Sequence, residues 1–564
     1  MRKGSKYLVV LLALCLVLAI TACGKNEEKS DSNGTKSSND TSATGTDTGS
    51  DVVSIDPLGK YDPPINVSTW RVVNQTFKFI DNDTIDDNVW YRAYADTLGI
   101  NVSNLWVVQD TNGSGAQKIN VSIASNSIPD IMEVDPTQFK QLYDADLAED
   151  LTEVYEKYAS PLLKFVLESN PSTLKAATLS GKIMALPRAY PAIEHARVLW
   201  VRADWLRNLN LPEPKTMEDV FKISEAFATQ DPDRNGLRDT FGLGINNTIT
   251  GGGVADIQGF ANGFHAYPGY WVTDNDGKLA YGSILPEMKD ALASLAKMYK
   301  NGEIDPEFGV KGTAELGKDM ASGKIGLEYG QNWNGISPLQ AVIDNDPTAD
   351  WKAYPIVSID DKPALAATGH ASGNFYVVKK GTKHPEAAIK MMNLYVENLF
   401  GETQQPLKYQ VNEGIEFFKY AIVQAGKQDK NIQIMKEVEK SLASGDTSAM
   451  NDEQKMFFGQ VQRYSEGDTS GWAGWALYGP EGSLKVLDKY VTENLTKPTQ
   501  FIGPPTKSQA KIAPILKTLE IEKFTKIILG QDTVESFDKF VDDWKKLGGD
   551  TWTNEVNEWA DSNK

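Results

Sequence analysis

Short β-rich apolar runs alternate with amphipathic helical patterns along a body too long to fold around a single core. The β-rich runs occupy residues 65–73, 102–108 and 128–134, and helical periodicity lies between them at residues 89–98 and 116–123. Alternation of this kind is typical of α/β structure. A body of roughly 500 residues exceeds the size at which single cores stop growing, so we expect at least two lobes.

Helical periodicity dominates the latter half of the chain. Predicted helices cover residues 385–398, 416–427, 514–529 and 534–547. We therefore expect lobes in which helices outnumber strands toward the C-terminus.

The N-terminus has the pattern of a bacterial secretory signal. Arg2, Lys3 and Lys6 precede an apolar run at residues 7–20, and the sequence Leu-Ala-Ile-Thr-Ala leads to Cys23. This layout resembles a lipoprotein signal, in which the cysteine receives lipid and cleavage precedes it. We predict a signal peptide at 1–22 and a lipidated Cys23, followed by a polar, disordered tether to residue 55. The alternative is a short apolar helix that happens to contain a cysteine.

Charge and cysteine content limit the classes of partner. Cys15 would leave with the signal and Cys23 would carry lipid, so no thiol would remain for a disulfide, a metal or catalysis. Acidic residues outnumber basic ones by 76 to 57, and the signal takes three cations with it. Nucleic acid and anionic lipid surfaces are therefore poor partners, and we expect a neutral ligand.

Several segments together resemble extracellular solute-binding proteins of ABC importers, in particular the LipO-type lipoproteins of Gram-positive bacteria. They are the cysteine signal, Asp-Asp-Asn-Val-Trp at 86–90, Ser-Ile-Pro-Asp-Ile at 127–131, Trp-Val-Arg-Ala-Asp-Trp-Leu at 200–206, Pro-Lys-Thr-Met at 214–217 and Trp-Lys-Lys-Leu-Gly-Gly-Asp at 544–550. The order and spacing of these segments carry the resemblance.

The resemblance implies an α/β, two-lobed periplasmic-binding-protein-like fold of type II, with hinge strands and a ligand cleft between the lobes. Lobe one would comprise residues 56–190 and about 371–450, and lobe two residues 191–370 and about 451–564. The implied function is capture of a carbohydrate, in particular an oligosaccharide, by a monomeric, non-catalytic receptor. The receptor would be lipid-anchored on the extracellular face of the membrane and would deliver its ligand to an ABC permease.

One loop has the spacing of a calcium site. The oxygen-bearing side chains Asp231, Asp233, Asn235 and Asp239 stand at alternate positions around Gly236, as in the first part of an EF-hand loop. The Leu237 carbonyl and Thr240 complete the expected ligand set. The twelfth position is Gly242 instead of the EF-hand glutamate, so a metal-free loop of Asx turns remains the alternative.

Templates for enzymes find little support in the sequence. Residues 312–319 approach a phosphate-binding loop, but Asp319 replaces the Ser or Thr that would ligate magnesium, and residues 314–323 are predicted to form an amphipathic helix. No zinc-protease or serine-hydrolase motif is present. Because an acid pair is defined by spatial separation, a surface-tethered glycoside hydrolase remains an alternative. A ligand sensor for a membrane kinase is another.

Aromatic residues on Gly-, Pro- and Asn-flanked segments are candidates for stacking against sugar faces. The candidate aromatic residues are Trp271, Trp333, Trp472, Trp475, Trp70 and Tyr190. The candidate polar partners are Arg188, Glu328, Asn332, His370 and Asn374. Each tryptophan could instead belong to a core, and each polar residue could be a capping or surface group.

Overall fold

The computed structural model describes residues 56–563 apart from residues 75, 76, 81, 112, 275, 371 and 413. The expected signal peptide (1–22), Cys23 and the tether to residue 55 lie outside the described residues. The described part of the chain contains no helix long and apolar enough to cross a membrane.

Most strands are short, and their bounds show that they are spread along much of the chain. The strands are β1 Ile65–Val73, β2 Ile100–Gln109, β3 Ile131–Val134, β4 Thr178–Leu179, β5 Lys182–Ile183, β6 Leu186–Ala189, β7 Val198–Arg202, β8 Phe241–Leu243, β9 Trp271–Thr273, β10 Leu279–Tyr281, β11 Ile325–Gly330, β12 Trp351–Tyr354, β13 Ala366–Thr368, β14 Ser372–Val378 and β15 Thr496–Pro498.

Helices fill the intervals and dominate the C-terminal part. They are α1 Val89–Ala93, α2 Ser114–Ala124, α3 Pro136–Asp144, α4 Thr152–Tyr158, α5 Pro161–Glu168, α6 Pro171–Ala176, α7 Ala203–Leu209, α8 Met217–Thr229, α9 Gln258–Gly263, α10 Pro286–Lys300, α11 Thr313–Ala321, α12 Gln340–Asn345, α13 Glu386–Phe400, α14 Pro406–Tyr409, α15 Lys430–Ser444, α16 Asp452–Ser465, α17 Trp472–Tyr478, α18 Ser483–Thr492, α19 Gln509–Ile528, α20 Ser536–Trp544 and α21 Asp550–Ser562. Short 3-10 or π segments occupy Tyr94–Leu98, Ala192–His195, Gly282–Ile284, Phe308–Val310, Asn332–Gly335, Phe417–Tyr420, Thr469–Gly471 and Lys545–Gly549.

Local sequence explains where several helices begin. Helix α3 starts at Pro136, and the side chains of Asp135 and Gln138 each accept the other residue's backbone N–H. This reciprocal capping satisfies two amide groups that the first helical turn leaves without partners. Capping boxes also start α8, at Thr216 and Asp219, and α16, at Asn451 and Gln454.

The first lobe is built on a sheet in which β14 lies antiparallel between β3 and β6. Strands β1 and β2 form a parallel pair, and the Thr69 hydroxyl donates to the Ile131 carbonyl at 2.9 Å, which joins β1 to β3. The buried apolar side chains on either side of these strands lie between Val67 and Ala189 and between Phe375 and Ala425.

The second lobe contains a four-stranded sheet in the order β12-β7-β11-β8, with β11 parallel to β8 and antiparallel to β7. Every residue of β7 and β11 is buried, as expected for central strands covered on both faces. The core of this lobe takes residues from Ala196 to Ala366 and from Ile432 to Val556.

The chain crosses between the two cores three times. The crossings lie between β6 and β7, between β13 and β14, and between Ala425 and Ile432. The sequence placed the last boundary near residue 450, which is too late. Ile432, Met435 and Val438 are apolar and buried, and they pack into the second core, so α15 belongs to lobe two.

The helix predicted at residues 416–427 does not form. Only a 3-10 segment, Phe417–Tyr420, is present. The carbonyls of Lys419, Tyr420 and Ala421 instead accept hydrogen bonds from the Arg71 guanidinium. A long-range partner has therefore replaced the hydrogen bonds that a helix would have made.

Candidate functional site

Polar side chains meet at one edge of the first-lobe sheet because of its topology. Strand β3 ends at Val134 and β6 ends at Ala189, while the antiparallel β14 begins between them at Ser372. Glu133, Arg188 and Asn374 are thereby brought to the same edge. In open α/β sheets this edge is where ligands bind.

The Glu133 carboxylate is the centre of this group. Its Oε1 accepts from Arg188 Nη1 at 2.9 Å and from Asn374 Nδ2 at 2.9 Å. Burial acts to raise the pKa of Glu133, but Arg188, Asn374 and Arg71 together lower it below its usual value. Glu133 is therefore held as a carboxylate that orients an arginine and an amide.

A pair of indoles lies beside this polar group. Trp70 and Trp106 are stacked with ring centroids 5.1 Å apart, and Trp70 Nε1 donates to the Glu133 carbonyl at 3.1 Å. Trp106 is partly exposed, and Lys118 Nζ lies 5.8 Å from its ring centroid. The hydrogen bond fixes the buried ring, and the stack positions the outer ring at the edge of the sheet.

Two neighbouring cavities open at this edge and share Arg188, Asn374 and Gln424. The first has a volume of about 350 Å³ and the second about 490 Å³. The first is lined by Trp70, Arg71, Val72, Asn74, Phe77, Ala116, Ile119, Glu133, Val134, Asp135, Gln138 and Lys419 besides the shared residues. Together they have the size of a site for a drug-sized or larger ligand.

Tyr190 lines the second cavity at the first crossing. Its ring centroid lies 4.9 Å from that of His195, and a Cβ added at Gly373 would lie 3.3 Å from the Tyr190 ring. Burial raises the pKa of Tyr190 to about 12. Burial, Arg197 and His370 lower the pKa of His195 to about 4, so both rings are neutral near pH 7.

The second lobe presents Trp333 at the corresponding edge of its own sheet. Strand β11 ends at Gly330, and the 3-10 segment that follows carries Trp333, which is 37% exposed. Trp333 Nε1 donates to Gln331 Oε1 at 2.7 Å. A Cβ on Gly253 would come within 2.6 Å of Gln331 Oε1, so glycine allows this close approach.

Glu328 and Asn332, predicted as polar partners beside Trp333, are instead buried within lobe two. Glu328 accepts from the Ala255 N–H at 2.8 Å and from Asn334 Nδ2 at 3.0 Å. Burial raises the pKa of Glu328 to about 7. The backbone carbonyl of Asn332 accepts a hydrogen bond from the Ser483 hydroxyl at 3.2 Å. Both residues therefore form hydrogen bonds within lobe two and do not face the cleft.

Trp271 and His370 line a third cavity, of about 260 Å³, which takes residues from both lobes. The sequence placed Trp271 on a loop, but it begins strand β9 and is only 4% exposed, with its ring 5.1 Å from Trp552. His370 Nδ1 is buried and has no hydrogen-bond partner among the described residues. Burial lowers the pKa of His370.

The predicted loop position of Trp472 and Trp475 is wrong. Trp472 begins α17 and is 1% exposed in the second core, and Trp475 packs on Tyr464 with centroids 5.3 Å apart. The glycines around them suggested a loop. Here Gly474 lies inside the helix because a larger side chain would meet Gln460.

The loop at residues 231–240 is folded by its own side chains. Asn235 Nδ2 donates to Asp233 Oδ2 at 2.9 Å and to Asp239 Oδ1 at 3.2 Å, and Asp231 accepts from the Gly236 N–H. No group of three or more His, Cys, Asp or Glu side chains in the described ranges is arranged to hold a metal ion. The Thr240 hydroxyl donates to the Phe227 carbonyl at 2.7 Å.

The donor set of this loop nevertheless suits a hard cation. Burial and the neighbouring Asp231 and Asp239 raise the pKa of Asp233, which shows that the carboxylates crowd each other. A divalent cation would relieve that repulsion. Asn235 would then have to present its oxygen, which now accepts from the Leu237 N–H at 2.6 Å.

Sequence reasoning missed Glu133, Arg71 and Trp106 as site residues. Glu133 interrupts an apolar run, Ile-Met-Glu-Val, and an acid at that position of a buried strand is a usable signal. Arg71 directly follows Trp70 within β1. Neither signal says which distant residue would be the partner, because Glu133 and Asn374 are 241 positions apart.

Comparison with known proteins identifies the family of the chain. Residues 83–398 match the model for bacterial extracellular solute-binding proteins. The polygalacturonan/rhamnogalacturonan-binding protein YtcQ of Bacillus subtilis is 25% identical over 304 residues, which are 54% of this chain and 58% of YtcQ. That match therefore spans less than two thirds of the relative. Lipoprotein LipO of Bacillus subtilis is 23% identical over 486 residues, 84% of this chain and 89% of LipO.

Solved structures agree with the expected fold. The alginate-binding protein AlgQ2 without calcium ion superimposes with a TM-score of 0.60 at 15% identity, covering 89% of this chain and 99% of AlgQ2. The substrate-binding protein FusA of Streptococcus pneumoniae in complex with kestose gives 0.59 at 16% identity, covering 89% of this chain and 100% of FusA. These matches confirm the α/β, two-lobed solute-binding fold of type II. Since the family model covers more than half of the sequence, the chain belongs to the bacterial extracellular solute-binding protein family.

Proposed function

We propose that this protein is a lipid-anchored, non-catalytic receptor that captures an oligosaccharide outside the cell and delivers it to an ABC permease. The observation that carries the proposal is the edge of the first-lobe sheet, where stacked Trp70 and Trp106 lie beside Arg188, Glu133 and Asn374. Indole faces suit the flat C–H faces of sugars, and fixed polar groups suit their hydroxyls. The similar proteins YtcQ, a polygalacturonan/rhamnogalacturonan-binding protein, and FusA, a fructooligosaccharide substrate-binding protein, support the same class of ligand.

Closure of the lobes would bring Trp333 against the opposite side of the bound sugar. Three crossings join the lobes, which is the layout of a hinge around a cleft. Each aromatic contact contributes roughly 1 kcal/mol beyond area burial. A few such contacts with several hydrogen bonds make a micromolar dissociation constant, about −8 kcal/mol, attainable.

The proposal that the oligosaccharide is released without being hydrolysed rests on the protonation state of Glu133. Glycoside hydrolysis needs one carboxyl group that keeps its proton in order to donate it. The pKa of Glu133 is lowered by Arg188 and Asn374 against the effect of burial, so it is unsuited to that role. Asp135, the other acid lining the first cavity, caps helix α3.

We also propose that the loop at 231–240 binds calcium through Asp231, Asp233, Asn235, Asp239 and the Leu237 carbonyl. Its role would be to brace lobe two, since the loop borders helix α8 and strand β8. Two similar solved structures, AlgQ2 without calcium ion and an EF-hand mutant of FusA, are consistent with a metal loop on this fold.

The test of the proposed function is a thermal-shift screen of the mature protein against neutral and acidic oligosaccharides. Ligand at about 100 times its dissociation constant stabilises the native state by about 2.7 kcal/mol, which raises the melting temperature. Mass analysis of the ligand after incubation should recover it intact. The receptor proposal fails if no oligosaccharide shifts the melting temperature, and a shortened ligand would indicate a hydrolase.

A further inference from the structure

The two cavities of the first lobe have a local charge opposite to that of the whole chain. Their lining contains five basic residues, Arg71, Arg188, Lys419, Lys427 and Lys430, and three acidic ones, Glu133, Asp135 and Glu194. The full chain has 76 acidic and 57 basic residues. A cleft lined by one sign of charge concentrates ligands of the other sign, whatever the total charge.

The first cavity is lined by two guanidinium groups, those of Arg71 and Arg188, and by the carboxylates of Glu133 and Asp135. Arg188 pairs with Glu133, whereas Arg71 donates to the backbone carbonyls of Tyr420 at 2.8 Å and Ala421 at 3.2 Å. Among the described residues, no carboxylate forms an ion pair with Arg71. Glu133 therefore forms an ion pair with only one of the two guanidinium groups.

Arg188 also keeps unused hydrogen-bonding capacity. A guanidinium offers five N–H donors in a planar fork. Within the described part of the chain, Arg188 uses Nη1 alone, to Glu133. Since Arg188 lines both cavities, its remaining donors are available at the place where the cavities join.

Most of the other lining charges have partners of their own. Asp135 is engaged in capping helix α3, and Glu194 accepts from Asn431 at 2.7 Å while burial raises its pKa. Lys427 lies 5.8 Å from the Phe165 ring centroid and forms no ion pair among the described residues. The remaining lysines pair with acids outside the lining, Lys419 with Glu416 and Lys430 with Glu453 at 2.6 Å.

We propose that the captured solute is an acidic oligosaccharide whose sugar carboxylate binds the planar fork of Arg188 while a sugar face packs against the Trp70–Trp106 pair at the first cavity. The inference rests on the proposed function and names the ligand class for that site. It replaces the neutral ligand expected from total charge, because only charges within about a Debye length act strongly on a bound group. A planar guanidinium matches a carboxylate through two parallel hydrogen bonds.

The test uses calorimetric titration with matched probes: oligogalacturonate, oligomannuronate and oligoglucuronate of three residues, their methyl esters, and neutral malto- and fructotrisaccharides. We expect at least one uronate to bind ten times or more tighter than its methyl ester, with affinity falling as salt rises. Arg188→Gln should lower uronate affinity at least tenfold. Glu133→Gln, which removes the competing carboxylate, should raise it. The control Arg207→Gln removes an exposed charge of lobe two and should change neither.

The outcomes separate this inference from the proposed function. Tight binding of a neutral trisaccharide with no binding of the uronates would overturn the acidic ligand and leave the receptor standing. Equal affinity for a uronate and its methyl ester, or a Glu133→Gln variant that weakens uronate binding, would also overturn it. Failure of every probe to bind would refute the acidic ligand, and the receptor proposal would fall with it only if the broader thermal-shift screen were negative as well.

Discussion

The buried Glu328 should make the stability of this protein fall as the pH rises through neutrality. Its carboxylate is fully buried and accepts from the Ala255 N–H at 2.8 Å and Asn334 Nδ2 at 3.0 Å. Burial, with a smaller contribution from Asp256, raises its pKa from 4.5 to about 7. The folded state therefore holds a proton between these values that the unfolded chain has released.

The sign and size of the effect follow from proton linkage. Because the native state binds more protons than the unfolded state between pH 4.5 and 7, raising the pH across this window lowers the free energy of unfolding. The contribution of protonated Glu328 is fully present below about pH 4.5 and is lost as the pH passes about 7. Between pH 5 and pH 8 the loss amounts to about 2 to 3 kcal/mol.

The variant Glu328→Gln should remove this dependence because an amide stays neutral. Among the described residues, Asn334 Oδ1 is buried without a hydrogen-bond partner, and a rotation of the Asn334 amide by 180° would let it accept from the Gln amide. We expect urea denaturation to show the variant gaining about 2 to 3 kcal/mol relative to the parent from pH 5 to pH 8. The exposed Glu402 provides the control, Glu402→Gln. A constant difference between Glu328→Gln and the parent across that range would refute the reasoning.

Further predictions concern the cleft, the metal loop and the anchor. Trp333→Ala should weaken oligosaccharide binding about tenfold with an unchanged melting temperature, whereas the core variant Trp472→Ala should lose about 3–5 kcal/mol of stability in urea denaturation. Calorimetry should detect calcium binding, and a chelator should lower the melting temperature of the parent but not of Asp233→Ala; equal melting of both with and without chelator would leave the loop a turn. Lys175 Nζ of lobe one lies 5.2 Å from the Trp559 ring centroid of lobe two, and this cation–π contact favours lobes that are held together. Calorimetric titration of Lys175→Ala should therefore show about two- to fivefold weaker oligosaccharide binding than the parent. Cys23→Ala should abolish membrane retention in cell fractionation, and normal retention would contradict lipidation.

Periodicity was sufficient to predict elements whose hydrogen bonds are local or whose faces are fully buried. The strand predicted at 65–73 has the bounds Ile65–Val73, and the helix predicted at 314–323 forms as α11, Thr313–Ala321. The helix predicted at 416–427 failed because its carbonyls bind Arg71, whose position almost 350 residues earlier no local pattern reveals.

The residues of the candidate site were likewise only partly predictable from the sequence. Arg188 was proposed from its position near a lobe edge and Trp70 as an aromatic residue suited to stacking on a sugar, and both line the first cavity. Trp472 was misplaced because its flanking glycines, which suggested a loop, permit tight packing within and beside a helix. The sign of charge in the cavity could not be predicted from composition, because it depends on which few of many charges the fold brings together.

Amide hydrogen exchange of the mature protein, with and without an oligosaccharide that raises its melting temperature, tests the central claim most directly. Binding between the lobes should protect amides near the end of β1, at residues 133–138 and at residues 331–333 together, and the ligand mass should be unchanged. Protection confined to one lobe, or cleavage of the ligand, would contradict a receptor that closes around an intact oligosaccharide.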